Sequence, residues 1–175
     1  MPLDDELRRL TDEAAIYRAL TAYCHGIDRR DLELVRSVYH PGAVDHHTGF
    51  DGPVEEFIEW VGPVLGKLGG TMHTLGNHRV ELFGDHAMSE TYATATHWGR
   101  DSSDLGSNFT TGVRYVDHFE RRNGRWAIAE RFAVREWLRT EGDRLTGVAP
   151  RTDEDPTRTF RSQLEQLTTE GNTSC

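Results

Sequence analysis

The chain of 175 residues is 36% hydrophobic and 28% charged, with a formal net charge of −9 when histidine is neutral. That length reads as one domain able to bury about 70% of the surface its unfolded form exposes, enough for a core and an internal pocket without disulfides or a structural metal. The acidic balance argues against a sequence-independent grip on nucleic acid or anionic lipid, no apolar stretch approaches the ~20 residues of a membrane span, and Cys24 and Cys175 build neither a disulfide framework nor a CxxC site.

The first helix is expected from about Asp4 to Asp28, where Ile16, Leu20, Tyr23 and Ile27 recur at helical spacing. Leu3, Leu7 and Leu10 extend the stripe, although Thr11-Asp12-Glu13 also reads as a cap from which the helix would begin. The acidic opening Met1 to Glu6 lacks the apolar core of a secretory signal, so the expected compartment is the cytoplasm. Asp31 reads as the N-cap of a short second helix, ended by Pro41-Gly42. Ala43 to Phe50 is a short strand or loop, and Asp51-Gly52-Pro53 a turn. A third helix follows from Val54 to about Leu68, with Phe57, Trp60, Val61, Val64 and Leu65 on one face and a kink or restart at Pro63. After Gly69-Gly70 come four long strand-like runs: Met72 to Phe83, Ala87 to Arg100, Asn108 to Arg121 and Arg125 to Leu138. Gly84-Asp85 joins the first two, and Asn123-Gly124 is a strong hairpin signal between the last two. From about Gly142 the pattern fades into a stretch rich in Gly, Pro and Thr, with Phe160, Leu164 and Leu167 as one short amphipathic helix. The expected organisation is a domain over residues 1–141 and a C-terminal tail over 142–175, partly disordered or docked on a neighbouring subunit.

Helices first and strands after predict an α+β fold, cone-shaped, with N-terminal helices packed on a strongly curved antiparallel sheet around an apolar pocket. Such a pocket takes a small molecule by default.

Three residues stand out for chemistry. Asp28, at the end of the first helix, is either a helix-end carboxylate paired with Arg29 or Arg30 or a working acid–base group. It lies about 140° around the helix from Tyr23, so the two share a face only if the helix ends or bends near Gly26. His73 opens the first long strand. It is either a satisfied core histidine or a general base, since imidazole titrates near ~6.5 and a carboxylate on its second nitrogen would fix the tautomer. By strand alternation His73, Leu75 and Asn77 share one side. Arg131 alternates with Ala127, Ala129 and Ala133, opposite Trp126, Ile128, Glu130 and Phe132; it is either a surface ion-pair partner or a group reaching into a cavity. His40, Asp45, His46 and His47 cluster in sequence, but His46 and His47 are adjacent and no HxxxH or HExxH spacing exists, so no metal is expected. No GxGxxG, P-loop or GxSxG occurs, and no cofactor is expected.

The chain resembles the SnoaL-like branch of the nuclear transport factor 2-like superfamily. The resemblance is carried by Tyr23-x-x-Gly26-Ile27-Asp28-x-x-Asp31, His40-Pro41-x-Ala43, Asp51-Gly52-Pro53, His73-x-x-Gly76-Asn77, Asp117-x-Phe119-Glu120-Arg121 and Asn123-Gly124-x-Trp126, in that order over about Leu7 to Leu138. Within that branch it is similar to the scytalone dehydratase, bile acid 7α-dehydratase and hexachlorocyclohexane dehydrochlorinase group. The resemblance implies a cystatin-like α+β barrel and a cofactor-independent lyase with Asp28 and His73 as its dyad, assisted by Tyr23 and Arg131. Candidate substrate-binding residues are Tyr39, Phe57, Trp60, Asn77 and Tyr92. The apolar lining suggests a hydrophobic cyclic substrate, and the resemblance implies a homo-oligomer, dimer or trimer. The superfamily holds isomerases, cyclases and non-catalytic binding proteins as well, and fold membership alone fixes no activity.

Overall fold

A computed structural model describes residues 3–101 and 108–140. Three helices, α1 (Leu3–Arg29), α2 (Leu32–Ser37) and α3 (Val54–Lys67), accompany six strands, β1 (Tyr39–His47), β2 (Phe50–Pro53), β3 (Gly70–Phe83), β4 (His86–Trp98), β5 (Phe109–Arg122) and β6 (Arg125–Thr140). They form one sheet of order β2-β1-β6-β5-β4-β3. Every pairing is antiparallel except β1 with β6, so the α+β fold is built on a mixed sheet. The expected tail, residues 142–175, lies outside the described residues. Among the described residues no helix is long and apolar enough to cross a membrane.

The helix α1 begins at Leu3 rather than Thr11, whose hydroxyl donates to the Leu7 carbonyl inside the helix instead of capping it. The N-terminal leucines Leu3, Leu7 and Leu10 are exposed. Asp31 caps α2 as expected, accepting the Leu34 amide at 3.0 Å. That helix stops at Ser37, however, and Pro41-Gly42 falls inside β1, at the irregular register between Tyr39 and Val44. The expected turn Asp51-Gly52-Pro53 is part of β2, and the actual reversal is Thr48-Gly49. α3 runs unbroken through Pro63. Arg122 pairs with Arg125 around Asn123 and Gly124, both at positive φ (53° and 77°), the tight two-residue hairpin that Asn-Gly favours. Gly26 lets α2 pack on α1: a Cβ there would meet Val35 Cγ2 at 2.7 Å.

The core lies between the helices and one face of the sheet. Ile16, Leu20, Tyr23 and Ile27 of α1 and Phe57, Ile58, Val61 and Leu65 of α3 pack toward Ala87, Ala93, Tyr115, Phe119, Trp126 and Ile128. Asp12 anchors the far end of α1. It accepts two bonds from Arg121 Nη1 at 3.0 Å and one from Trp126 Nε1 at 2.8 Å.

Two bulges decide which side chains face this core. On β6, His118 pairs with Glu130 while Phe119 pairs with Ile128, so Ala129 is an extra residue. The bulge reverses the alternation beyond it. Arg131 therefore joins Trp126 and Ile128 on the inner face, while Phe132 turns out to solvent. On β3 the register slips between Leu75 and His78. His78 rather than Asn77 continues the inner row, and Asn77 is exposed.

Candidate functional site

The end of α1 meets the start of β3, and there Asp28 and His73 come together. Asp28 Oδ1 lies 2.6 Å from His73 Nδ1, Asp28 Oδ2 accepts the His73 backbone amide at 2.9 Å, and Thr71 Oγ1 donates to Oδ1 at 2.8 Å. Burial acts to raise the Asp28 pKa. The hydrogen bonds from His73, its charge whenever the ring is protonated, and the Thr71 hydroxyl outweigh it and hold the carboxyl below its ordinary value. An ionised carboxylate only accepts, so the shared proton sits on His73 Nδ1 and the neutral ring keeps its lone pair on Nε2. Arg30, next along the chain from the helix end, donates to the Leu68 carbonyl at 2.7 Å and so ties the end of α1 to the segment leading into β3.

His73 lines a cavity of about 340 Å³. Its walls include Tyr23, Ile27, Phe57, Trp60, Leu68 and Tyr115, so the lining is mainly apolar and aromatic. His97 stands beside His73, with ring centroids 6.2 Å apart, and stacks on Phe109 at 4.1 Å. Burial and the neighbouring His73 push the His97 pKa down to about 4, so His97 is neutral at neutral pH.

Of the other sequence candidates, Tyr23, Phe57 and Trp60 line the cavity, while Tyr39, Asn77, Tyr92 and Arg131 do not. Asn77 is displaced by the β3 bulge. Tyr92 alternates with buried Thr91 and Ala93 and points outward, 45% exposed. Tyr39 is buried below the cavity and donates to Asp45 Oδ2 at 2.6 Å. Arg131 is fully buried and makes two bonds to Asp117, at 2.7 and 2.8 Å. Its guanidinium lies 4.1 Å from the Tyr23 ring centroid and 4.4 Å from that of Tyr115. Burial would lower the Arg131 pKa, but the Asp117 charge more than offsets this and the group stays cationic. Arg131 thus braces the aromatic floor rather than entering the cavity as expected.

Tyr23 and Asp28 do not share a face, and α1 continues past Gly26 without the break that would bring them together. Asp28 turns to β3, whereas Tyr23 turns to β1, where its hydroxyl is 3.2 Å from His47 Nε2. His47, which sequence reasoning did not select, lines the cavity and hydrogen-bonds through Nδ1 to Asp45 Oδ1. The other histidines of that segment diverge. His40 Nε2 meets the Glu120 carbonyl, and His46 meets Asp51 and Glu130. A separate group, His86, His118 and Glu120, brings ligating atoms within 4.8 Å of one another on the outward side of β4 and β5.

The SnoaL-like domain family matches residues 8–132. No curated protein matches the chain. Among solved structures, hexachlorocyclohexane dehydrochlorinase LinA-type3 from Novosphingobium barchaimii LL02 is 19% identical with a TM-score of 0.70, over 83% of this chain and 99% of that one. A candidate scytalone dehydratase from Novosphingobium aromaticivorans DSM 12444 is 15% identical with a TM-score of 0.68, over 82% and 97%. A protein of unknown function from Mycobacterium tuberculosis, solved as a single-residue variant, is 17% identical with a TM-score of 0.63, over 78% and 76%. At these identities the likeness is one of fold.

Proposed function

The chain belongs to the SnoaL-like domain family, and from its dyad we propose that it is a cofactor-independent lyase of dehydratase or dehydrohalogenase type acting on a cyclic apolar molecule. The observation that carries this reading is His73, held through Nδ1 by Asp28 at 2.6 Å while lining an apolar cavity of about 340 Å³. His73 Nε2 takes a proton from a carbon adjacent to the one bearing the leaving group. The C–H electron pair forms the new double bond, and the hydroxyl or halide departs with its own bonding pair. Asp28 offsets the charge that His73 gains. The Tyr23 hydroxyl donates to the departing group, a contribution of roughly 3–4 kcal/mol in a dry site. Arg131 acts from beneath the Tyr23 ring, where its charge eases partial negative charge on the phenol.

The enzymes this fold resembles supply the first substrates to try. Wild-type protein is expected to release chloride from hexachlorocyclohexane or water from scytalone, and His73→Ala to lose that turnover while staying folded. Product mass separates elimination from the second reading, an isomerase or aldol-type cyclase that uses the same base to form an enolate and loses nothing. Retained turnover in His73→Ala removes the base assignment. In this reading residues 1–141 are the catalytic unit of a cytoplasmic homo-oligomer.

A further inference from the structure

We propose that His47, held by Asp45, is the proton source for the leaving group and delivers its proton through the Tyr23 hydroxyl, opposite the base His73. This deepens the lyase reading and rests on it. Asp45 is fully buried. It accepts from His47 Nδ1 on one oxygen and from Tyr39 Oη, at 2.6 Å, on the other. A carboxylate kept out of water needs such partners, and these leave His47 Nε2 as the ring's remaining proton position. That nitrogen faces Tyr23 Oη at 3.2 Å, and both His47 and Tyr23 line the cavity. The His47 ring is fixed by stacking on Phe57, with centroids 4.8 Å apart.

The placement follows from the sheet. β1 carries His47 and β3 carries His73, and β6, β5 and β4 lie between them. One cavity therefore has a carboxylate-held imidazole on each of two separated walls. An elimination with a basic leaving group needs that separation, because one group must take a proton while another gives one. In the forward step His73 Nε2 gains the substrate proton, the leaving oxygen takes the Tyr23 proton, and Tyr23 takes the Nε2 proton of the His47 imidazolium. His73 ends protonated and His47 neutral; exchange with water resets both.

A pair of probes that differ in leaving-group basicity tests this without the natural substrate. In 1,2-benzisoxazole and its 5-nitro derivative a base removes the C3 proton, the N–O bond breaks, and a nitrile and a phenolate oxygen form. The parent's oxygen is the more basic and depends more on a proton donor. With the full-length protein, His47→Gln is expected to cost the parent compound about tenfold more turnover than the 5-nitro compound. His47→Asn should show the same bias, which keeps the test decisive if His47→Gln does not fold, and Tyr23→Phe should show it too. His73→Ala should lose both reactions equally. Equal losses on the two probes in His47→Gln and Tyr23→Phe, or no loss, overturn the proton-source role and leave the base reading standing. Unchanged turnover in His73→Ala, or wild-type turnover no faster than free imidazole, overturns the base reading and this inference with it.

Discussion

Asp28 accepts three hydrogen bonds, from the Thr71 hydroxyl, the His73 amide and His73 Nδ1, and together they fix both the position and the tautomer of the imidazole. Replacing it by Asn keeps the shape but removes the charge that offsets the imidazolium. Asp28→Asn is expected to cost about a hundredfold in turnover, measured on whichever elimination probe the wild type accepts, in a protein that still folds. Both residues stood out in the sequence, at the end of a helix stripe and the start of a strand, but that placement left each open between a structural and a working role, and only the resemblance to the SnoaL-like branch paired them. His47 did not stand out. His46 and His47 are adjacent on a strand, only one can face inward, and the strand's register decides which. Arg131 was legible as a residue but not in its surroundings: nothing in the alternating alanines announces that Asp117 lies directly opposite on β5.

The strands act through their irregularities. The extra residue Ala129 turns Arg131 into the core, where the Asp117 carboxylate holds it through two hydrogen bonds. Removing that partner leaves a buried charge uncompensated, so Asp117→Ala should destabilise the fold by about 3–5 kcal/mol in urea denaturation. His97 on β4 gives a pH signature. Its folded pKa, about 4, lies below the ~6.5 of an unfolded histidine. As pH falls from about 6.5 toward 4 the unfolded chain binds a proton that the folded chain refuses, so stability falls across that window by up to about 3 kcal/mol. Asp28, whose pKa is also lowered in the fold, adds a further loss below the ordinary carboxylate range. Denaturant midpoints at pH 7 and pH 5 should differ less in His97→Phe than in the wild type. Helix positions, the long strands and the Asn-Gly hairpin followed from periodicity and turn chemistry. The bulges did not, since an extra residue leaves the local pattern intact and shows itself only in pairing with a neighbour. The β1–β6 parallel pair was hidden for the same reason, because it joins segments far apart in the chain.

At the scale of the molecule, one face of the sheet carries the cavity and the helices while the other presents Met72, Tyr92, Phe132, Val134 and Trp137, each more than a third exposed. Apolar area of that kind is costly to leave in water, and a second copy of the chain packing sheet to sheet would cover it. Sedimentation velocity is expected to show an oligomer, and Tyr92→Lys with Phe132→Lys to shift it toward monomer without loss of helix signal. A wild-type monomer at micromolar concentration would contradict this. The cone itself was readable because helices followed by long strands leave few ways to bury both apolar faces.

In the proposed reaction His73 offers the cavity an unprotonated Nε2 because Asp28 keeps the proton on Nδ1, and every step there depends on that tautomer. Long-range proton–nitrogen NMR of the imidazole rings, recorded at mildly alkaline pH, reads it directly. A protonated Nδ1 and a bare Nε2 are expected for His73, a preference lost in Asp28→Asn. A proton on Nε2 in the wild-type protein would contradict this, because the ring would then have no base to turn toward a substrate.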